Sequence, residues 1–299
     1  MMDFEKRLTE IAGAANVKLE EPMKNHTTFR IGGPARYFVT PENVDALILV
    51  IGLCRGEEKP FAVIGNGSNL LVSDQGYQGV VISTEKLDHC QVEGNQIRAE
   101  AGVKLARMAK QALEHGLAGL EFAAGIPGTV GGALVMNAGA YGSEMKNVLV
   151  DAVLLTKDGA VIRRTGEELE LGYRTSNIPI EGLTVLEAEV RLQLGDKTEI
   201  LRVMNDLAAK RREKQPLEYP SAGSTFKRPE GYFAGKLIDD AGLRGFQVGG
   251  AQVSEKHCGF VINRNQATAA DVEELCHQVA EKVKEQSGVD LEMEIKRLG

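Results

Sequence analysis

Two glycine-rich segments carry the residues best suited to holding a ligand. The first, Gly65-Asn66-Gly67-Ser68-Asn69-Leu70, directly follows an apolar stretch, Pro60 to Ile64, that reads as a buried strand. Glycines permit positive φ and let a ligand approach backbone N–H groups closely. The segment is not a dinucleotide fingerprint. Leu70 stands where the third glycine belongs, and the residues after it are β-like rather than helical. Taken alone, it reads better as a tight hairpin turn. The second segment, Gly125-Ile126-Pro127-Gly128-Thr129-Val130-Gly131-Gly132, runs on to Asn137-Ala138-Gly139-Ala140-Tyr141-Gly142. So many glycines in one loop raise the entropy cost of folding, and a purely structural loop does not need them. Backbone lining a flat or polyanionic ligand does. Two such loops on an α+β scaffold point to a large nucleotide cofactor without saying which one.

Single residues elsewhere admit both plain and chemical readings. Arg174, in Tyr173-Arg174-Thr175-Ser176, would be explained by a surface ion pair. Ser224 reads as a turn serine, and no Gly-x-Ser-x-Gly elbow surrounds it, which disfavours a hydrolase nucleophile. Glu292, Glu294 and Lys296 alternate with Leu291, Met293 and Ile295. This alternation predicts a C-terminal strand with Glu294 as a solvated carboxylate. His26 and His257 could be bases, although structural histidines are commoner. Lys210-Arg211-Arg212-Glu213-Lys214 is a basic run that suits a helix C-terminus and could also meet a diphosphate. Cys54, Cys90, Cys258 and Cys276 form no CxxC pair, so neither a metal site nor a disulfide framework is expected.

The elements that must position these residues follow from periodicity and caps. Phe4, Leu8, Ile11, Ala12 and Ala15 predict an opening helix. Asn43 is placed to cap a helix over Val44 to Cys54, and a strand is expected over Ala35 to Thr40. Lys104 to His115 reads as a helix closed by Gly116. Strands are expected from Asn147 to about Leu194, then a helix from Ile200 to Arg212 with Ile200, Val203, Met204, Leu207 and Ala208 on one face. The two prolines in Gln215 to Pro220 end it. Thr268 with Asp271 forms a capping box for a helix through Val272, Leu275, Cys276, Val279 and Val283, closed by Gly288.

Composition narrows the class. The chain has 299 residues, 43% hydrophobic and 26% charged, and a net charge of −7. That is the mix of a globular protein of about two domains. The acidic balance argues against general nucleic-acid binding. The longest apolar run, Ala46 to Cys54, is far short of the ~20 residues that span a bilayer. No apolar core follows Met1, so no signal peptide and a cytoplasmic location are expected.

Read in order, these segments resemble one family. They are Asn25-His26-Thr27-Thr28-Phe29-Arg30-Ile31-Gly32-Gly33, Gly65 to Leu71, Gly125 to Gly132, Tyr173-Arg174, Ala222-Gly223-Ser224-Thr225-Phe226 and Leu291-Glu292-Met293-Glu294. The family is UDP-N-acetylenolpyruvoylglucosamine reductase, MurB, a flavoenzyme of bacterial peptidoglycan synthesis. The two glycine-rich loops are shared with the wider vanillyl-alcohol-oxidase-like flavoproteins; the Ser224 and Glu294 segments narrow the match. The resemblance implies an α+β fold: a two-subdomain FAD-binding unit of the vanillyl-alcohol-oxidase/PCMH-like type and a smaller α+β substrate-binding domain. The expected divisions are residues 1–82, 83–195 and 196–299. One form of the family carries an extra tyrosine-bearing loop. No room exists for it between Arg174 and the helix expected near Ile200, so the chain resembles the shorter form.

The resemblance also implies the site. Noncovalent FAD would be held by Gly65, Asn66, Gly67, Ser68, Asn69 and Leu70 together with Gly125, Ile126, Pro127, Gly128, Thr129, Gly131 and Gly132. NADPH would be the co-substrate, using the same pocket in a two-stroke order, and enolpyruvyl UDP-N-acetylglucosamine the acceptor. Arg174 would stabilise the charge that develops, Ser224 would give the proton, and Glu294, in its protonated form, would donate a hydrogen bond. Glu292 competes with Glu294 if the strand register is misread. Tyr173, Lys214, Lys236 and His257 are the candidate UDP-sugar contacts. No metal, obligate protein partner or membrane insertion is implied. The rivals are a flavin oxidase of the same fold and a nucleotide-binding module without catalysis.

Overall fold

The computed structural model describes residues 2–299. The chain forms two compact units, each assembled from separated stretches: residues 2–19, Tyr37–Asn66 and Gly79–Arg211 in the first, Glu20–Arg36, Gly67–Gln78 and Arg212–Gly299 in the second. This differs from a division near residues 82 and 195. The chain leaves the first unit and re-enters it, and the last crossing lies inside the helix Lys197–Lys214. A reading that cuts the chain in sequence order has no way to show such returns.

The first unit holds two apolar cores. One draws on Phe4, Leu8, Leu47, Val50, Ile51, Val80 and Ile82. The other draws on Ile97, Leu105, Met108, Leu134, Leu154 and Val190. The first core lies on a sheet in the order Val17–Pro22, Pro34–Val39, Tyr77–Ser83, Phe61–Ile64, whose last pair is parallel. Helix Val44–Gly56 starts where expected, with Asn43 Oδ1 accepting from Ala46 N at 2.9 Å. The second core backs a five-stranded antiparallel sheet in the order Val161–Thr165, Leu149–Leu155, Thr184–Arg191, Gln96–Glu100, Cys90–Glu93. Helix Ile178–Glu181 and strands Thr184–Arg191 and Gln193–Leu194 fill the stretch after Arg174, leaving no residues there for an additional loop.

The helix expected from Ile200 is longer, Lys197–Lys214. Of its apolar face only Ile200 is fully buried; Val203, Met204, Leu207 and Ala208 are half-buried.

In the second unit, helix Ala269–Ser287 carries the reciprocal cap of Thr268 and Asp271, with both bonds at 3.0 Å, and ends at Gly288 with φ 72°. Val272, Leu275, Cys276, Val279 and Val283 are all buried on one face. Each such side chain contributes roughly 1.5–3 kcal/mol relative to exposure. They pack with Ala251, Val253 and Val261 of the antiparallel sheet Gln247–Val248, Ala251–Val253, Val261–Asn263.

The C-terminal strand is shorter than its alternation predicts. Only Lys296–Leu298 is strand, and it pairs in parallel with Leu70–Val72. The hairpin reading of Gly65 to Leu70 is therefore corrected. Leu70–Val72 takes its partner from the far end of the chain, and Phe61–Ile64 pairs with Tyr77–Ser83.

Candidate active site

In the first unit Gly65 and Asn66, from the first glycine-rich segment, meet the second segment. A Cβ on Gly65 would lie 2.1 Å from Thr129 Oγ1, so a larger residue has no place there. Asn66 Nδ2 donates to Pro127 O at 2.7 Å. The second segment is not one long loop. Residues Val130–Val135 form a short helix whose N-cap, Thr129, is buried and accepts from Gly132 N at 3.5 Å. Its backbone is pinned on both sides of the cap. Leu105 N donates to Gly128 O at 3.0 Å, and Val130 N and Gly131 N donate to Val103 O and Ala101 O at 2.9 Å. Gly131 needs its missing side chain, because a Cβ there would come within 3.0 Å of Ala101 Cβ.

Arg211 lies against this segment, its Cδ 3.2 Å from where a Cβ on Gly125 would stand. Burial holds its guanidinium pKa below the usual value, and the Tyr141 phenol is nearby. A desolvated cation suits an anionic ligand. Sequence reasoning placed Arg211 only within a basic run; nothing in that run singled it out from Lys210 or Arg212. The adjoining glycine segments and this cation fit a pyrophosphate-bearing cofactor.

Arg174 occupies a tight turn in which Gly172 and Thr175 bond each other through N–H and C=O at 3.1 and 3.4 Å. Its φ of 55° is in the left-handed region, which side chains larger than glycine rarely adopt. Its guanidinium is half-buried and donates to Gly139 O at 3.4 Å. Tyr173 is 56% exposed, with the Arg174 guanidinium 5.6 Å from its ring centre.

In the second unit the structure brings Ser224 and Glu294 together through Thr225. Thr225 is fully buried. Its N–H donates to Gly259 O, its hydroxyl accepts from Val261 N, and its carbonyl accepts from Glu294 N, each at 2.8 Å. Ser224, the residue before it, is exposed. Glu294 is 7% exposed, so the expectation of a solvated carboxylate is corrected. Regular strand begins only at Lys296, and Glu294 and Ile295 are both buried in succession. Glu292 is the exposed member and pairs with Lys227. Asn69 frames Glu294 from the first glycine-rich segment: its Nδ2 donates to Glu294 O at 3.2 Å, and its carbonyl accepts from Lys296 N at 2.9 Å. Gly67, at φ 58°, sits where a Cβ would come within 2.1 Å of His26 O.

The remaining candidates are more dispersed. His257 Nδ1 accepts from Gly259 N at 3.1 Å, next to the carbonyl that holds Thr225. Burial, with Arg244 and Lys214 nearby, holds its pKa below the ordinary 6.5. Lys236 is exposed and bound to Asp240 at 2.9 Å, which raises its pKa. Lys214 is exposed at the helix end. Among the described residues no cluster of His, Cys, Asp and Glu could hold a metal, and no helix is long and apolar enough to cross a membrane.

The profile of the FAD binding domain matches residues 35–165, and that of the UDP-N-acetylenolpyruvoylglucosamine reductase C-terminal domain matches residues 215–298. The UDP-N-acetylenolpyruvoylglucosamine reductase of Agathobacter rectalis is 53% identical, over 99% of this chain and 98% of its own length. The crystal structure of MurB from Thermus caldophilus superposes with a TM-score of 0.81 at 38% identity, over 95% of this chain and 98% of that one. Phl p 4, a grass pollen allergen with glucose dehydrogenase activity, shares the fold alone: TM-score 0.51 and 15% identity, over 65% of this chain and 45% of that one. With an FAD-binding fold, a matching C-terminal domain and a full-length relative at this identity, the chain belongs to the UDP-N-acetylenolpyruvoylglucosamine reductase family, FAD-dependent oxidoreductases of peptidoglycan synthesis.

Proposed function

We propose that the chain uses NADPH to reduce the enolpyruvyl ether of UDP-N-acetylglucosamine to UDP-N-acetylmuramate, with Ser224 as the proton donor. The observation that carries this reading is the Thr225 anchor, which holds an exposed Ser224 and a buried Glu294 on one hydrogen-bonded frame. Gly65, Asn66 and the Gly125 to Gly132 segment would hold FAD noncovalently, with Arg211 compensating phosphate charge. When bound, FAD would supply hydride chemistry between NADPH and the terminal carbon of the enolpyruvyl group.

The protein's own residues do the rest. Negative charge develops on the carbon next to the reduced one and spreads into the carboxylate. Arg174, permanently charged, donates to the carboxylate oxygens as a fork. Ser224 Oγ–H gives its proton to that carbon, and water returns one to the serine oxygen, so the bookkeeping of protons closes. A hydroxyl is a weak acid, but an enolate is a strong enough base when the donor is already placed. Glu294 serves in its protonated form, donating a hydrogen bond to the developing charge. Tyr173, Lys214 and His257 remain proposed UDP-sugar contacts. Lys236 would first have to leave Asp240.

The test separates the two halves of the cycle. In Ser224→Ala, NADPH should bleach the flavin at the wild-type rate, while anaerobic reoxidation by the enolpyruvyl sugar slows by roughly 10²–10⁴. Unchanged reoxidation would remove Ser224 from the chemistry. A protein that turns over with oxygen and ignores the sugar would be a flavin oxidase.

A further inference from the structure

The turn that carries Arg174 is joined to the segment Val135 to Gly139 at alternate residues. Ser176 Oγ donates to Val135 O at 2.8 Å, Asn137 Nδ2 donates to Gly172 O at 3.0 Å, and the Arg174 guanidinium donates to Gly139 O. Asn137 is at the centre. It is fully buried, at φ 44°. Its Oδ1 accepts from Lys146 N at 3.0 Å, and its Nδ2 also donates to Glu144 Oε2 at 2.9 Å. Both amide protons are therefore committed, and the side chain has one orientation that satisfies all three partners.

We propose that Asn137 is a positioning residue for the reaction, setting where the Arg174 guanidinium stands by holding the Gly172 to Thr175 turn. This rests on the reading of Arg174 as the carboxylate's ligand. Three observations converge. Of the turn's own two backbone bonds, one is ordinary at 3.1 Å and the other long at 3.4 Å, so outside bonds add to what holds the turn. Arg174 has left-handed backbone, a state that persists where the surroundings over-determine it. Val135 to Gly139 continues directly from the helix Val130–Val135, so the element that would hold the cofactor also sets the arginine. A forked guanidinium must be placed within about 0.5 Å to act, and a misplacement of about 1 Å can cost ~10²-fold.

Asn137→Gly tests this, because glycine keeps the left-handed backbone and removes only the amide. The expected holoenzyme retains FAD and is bleached by NADPH at the wild-type rate. Its reoxidation by the enolpyruvyl sugar is about 10- to 100-fold slower. Combined with Arg174→Ala, it should be no slower than Arg174→Ala alone, since there is no guanidinium left to place. Reoxidation within two-fold of wild type, or losses that multiply in the double variant, would overturn the positioning role. Wild-type reoxidation in Arg174→Ala would instead sink the reading of Arg174, and the proposal with it. Should Asn137→Gly fail to retain FAD, Ser176→Ala removes the outer clamp alone. It should slow the same half-reaction more mildly and add nothing in the Arg174→Ala background; no slowing, or an additive loss, would again overturn the proposal.

Discussion

Glu292 and Glu294 stand two residues apart and meet opposite environments, one exposed and paired with Lys227, the other 7% exposed. Alternation alone put them on the same face. It failed because it assumes regular strand, and the chain here has a single bridge, Met293 to Phe226, before strand begins at Lys296. The motif around Glu294 was legible as a resemblance, while its burial was not. If Glu294 acts as a neutral donor, Glu294→Gln keeps an N–H where the acid had an O–H. Reoxidation by the enolpyruvyl sugar should then fall much less in Glu294→Gln than in Glu294→Ala, where a loss of roughly 10²–10³ is expected from removing a donor to the developing charge. Equal losses in the two variants would argue against the donor role. Arg211 and Asn137 show the other limit of residue-level reading. What sets them apart is what they touch, and neither a basic run nor an asparagine among glycines reveals that.

At the scale of elements, the helices were the most legible, because periodicity and caps agree. Asn43, the Thr268–Asp271 pair and Gly288 all sit at the termini their chemistry demands. The second glycine-rich segment reads from its sequence as ligand-binding backbone and the first, taken alone, as a hairpin turn; neither reading shows that the two join. Gly65→Ala tests that junction. The new methyl meets Thr129 Oγ1, and Thr129 can turn away only by giving up its helix cap, so the variant should purify with much less FAD and lose about 1 kcal/mol or more of stability. Normal flavin content would show that the two segments do not hold the cofactor together. The anchor of Ser224 carries a pH dependence through His257. Its folded pKa lies below the ordinary 6.5, so the unfolded chain binds the proton more readily. Stability should therefore be intact above about 6.5 and fall as pH drops through that value towards the folded pKa. Protonation also removes the acceptor used by Gly259 N. His257→Gln should flatten the fall between pH 7 and 5 in denaturant midpoints; an unchanged slope would assign it to other groups.

For the whole molecule, the sequence carried the family and the fold class, but not the way the chain is shared between units. Leu70–Val72 finds its parallel partner at Lys296–Leu298, and pairing over such a separation leaves no local signal. Gly65, Gly125 to Gly132, Arg174 and Arg211 belong to the first unit, Ser224 and Glu294 to the second. The central claim is that this one chain runs both half-reactions of an NADPH-dependent enolpyruvyl reductase. The most direct measurement is the visible absorption spectrum of the purified protein without oxygen, before and after NADPH and then after the enolpyruvyl UDP-sugar. The account predicts a flavin spectrum that NADPH bleaches and the sugar restores. Bleaching that the sugar leaves in place, or a protein that takes up no flavin when FAD is supplied, would contradict it.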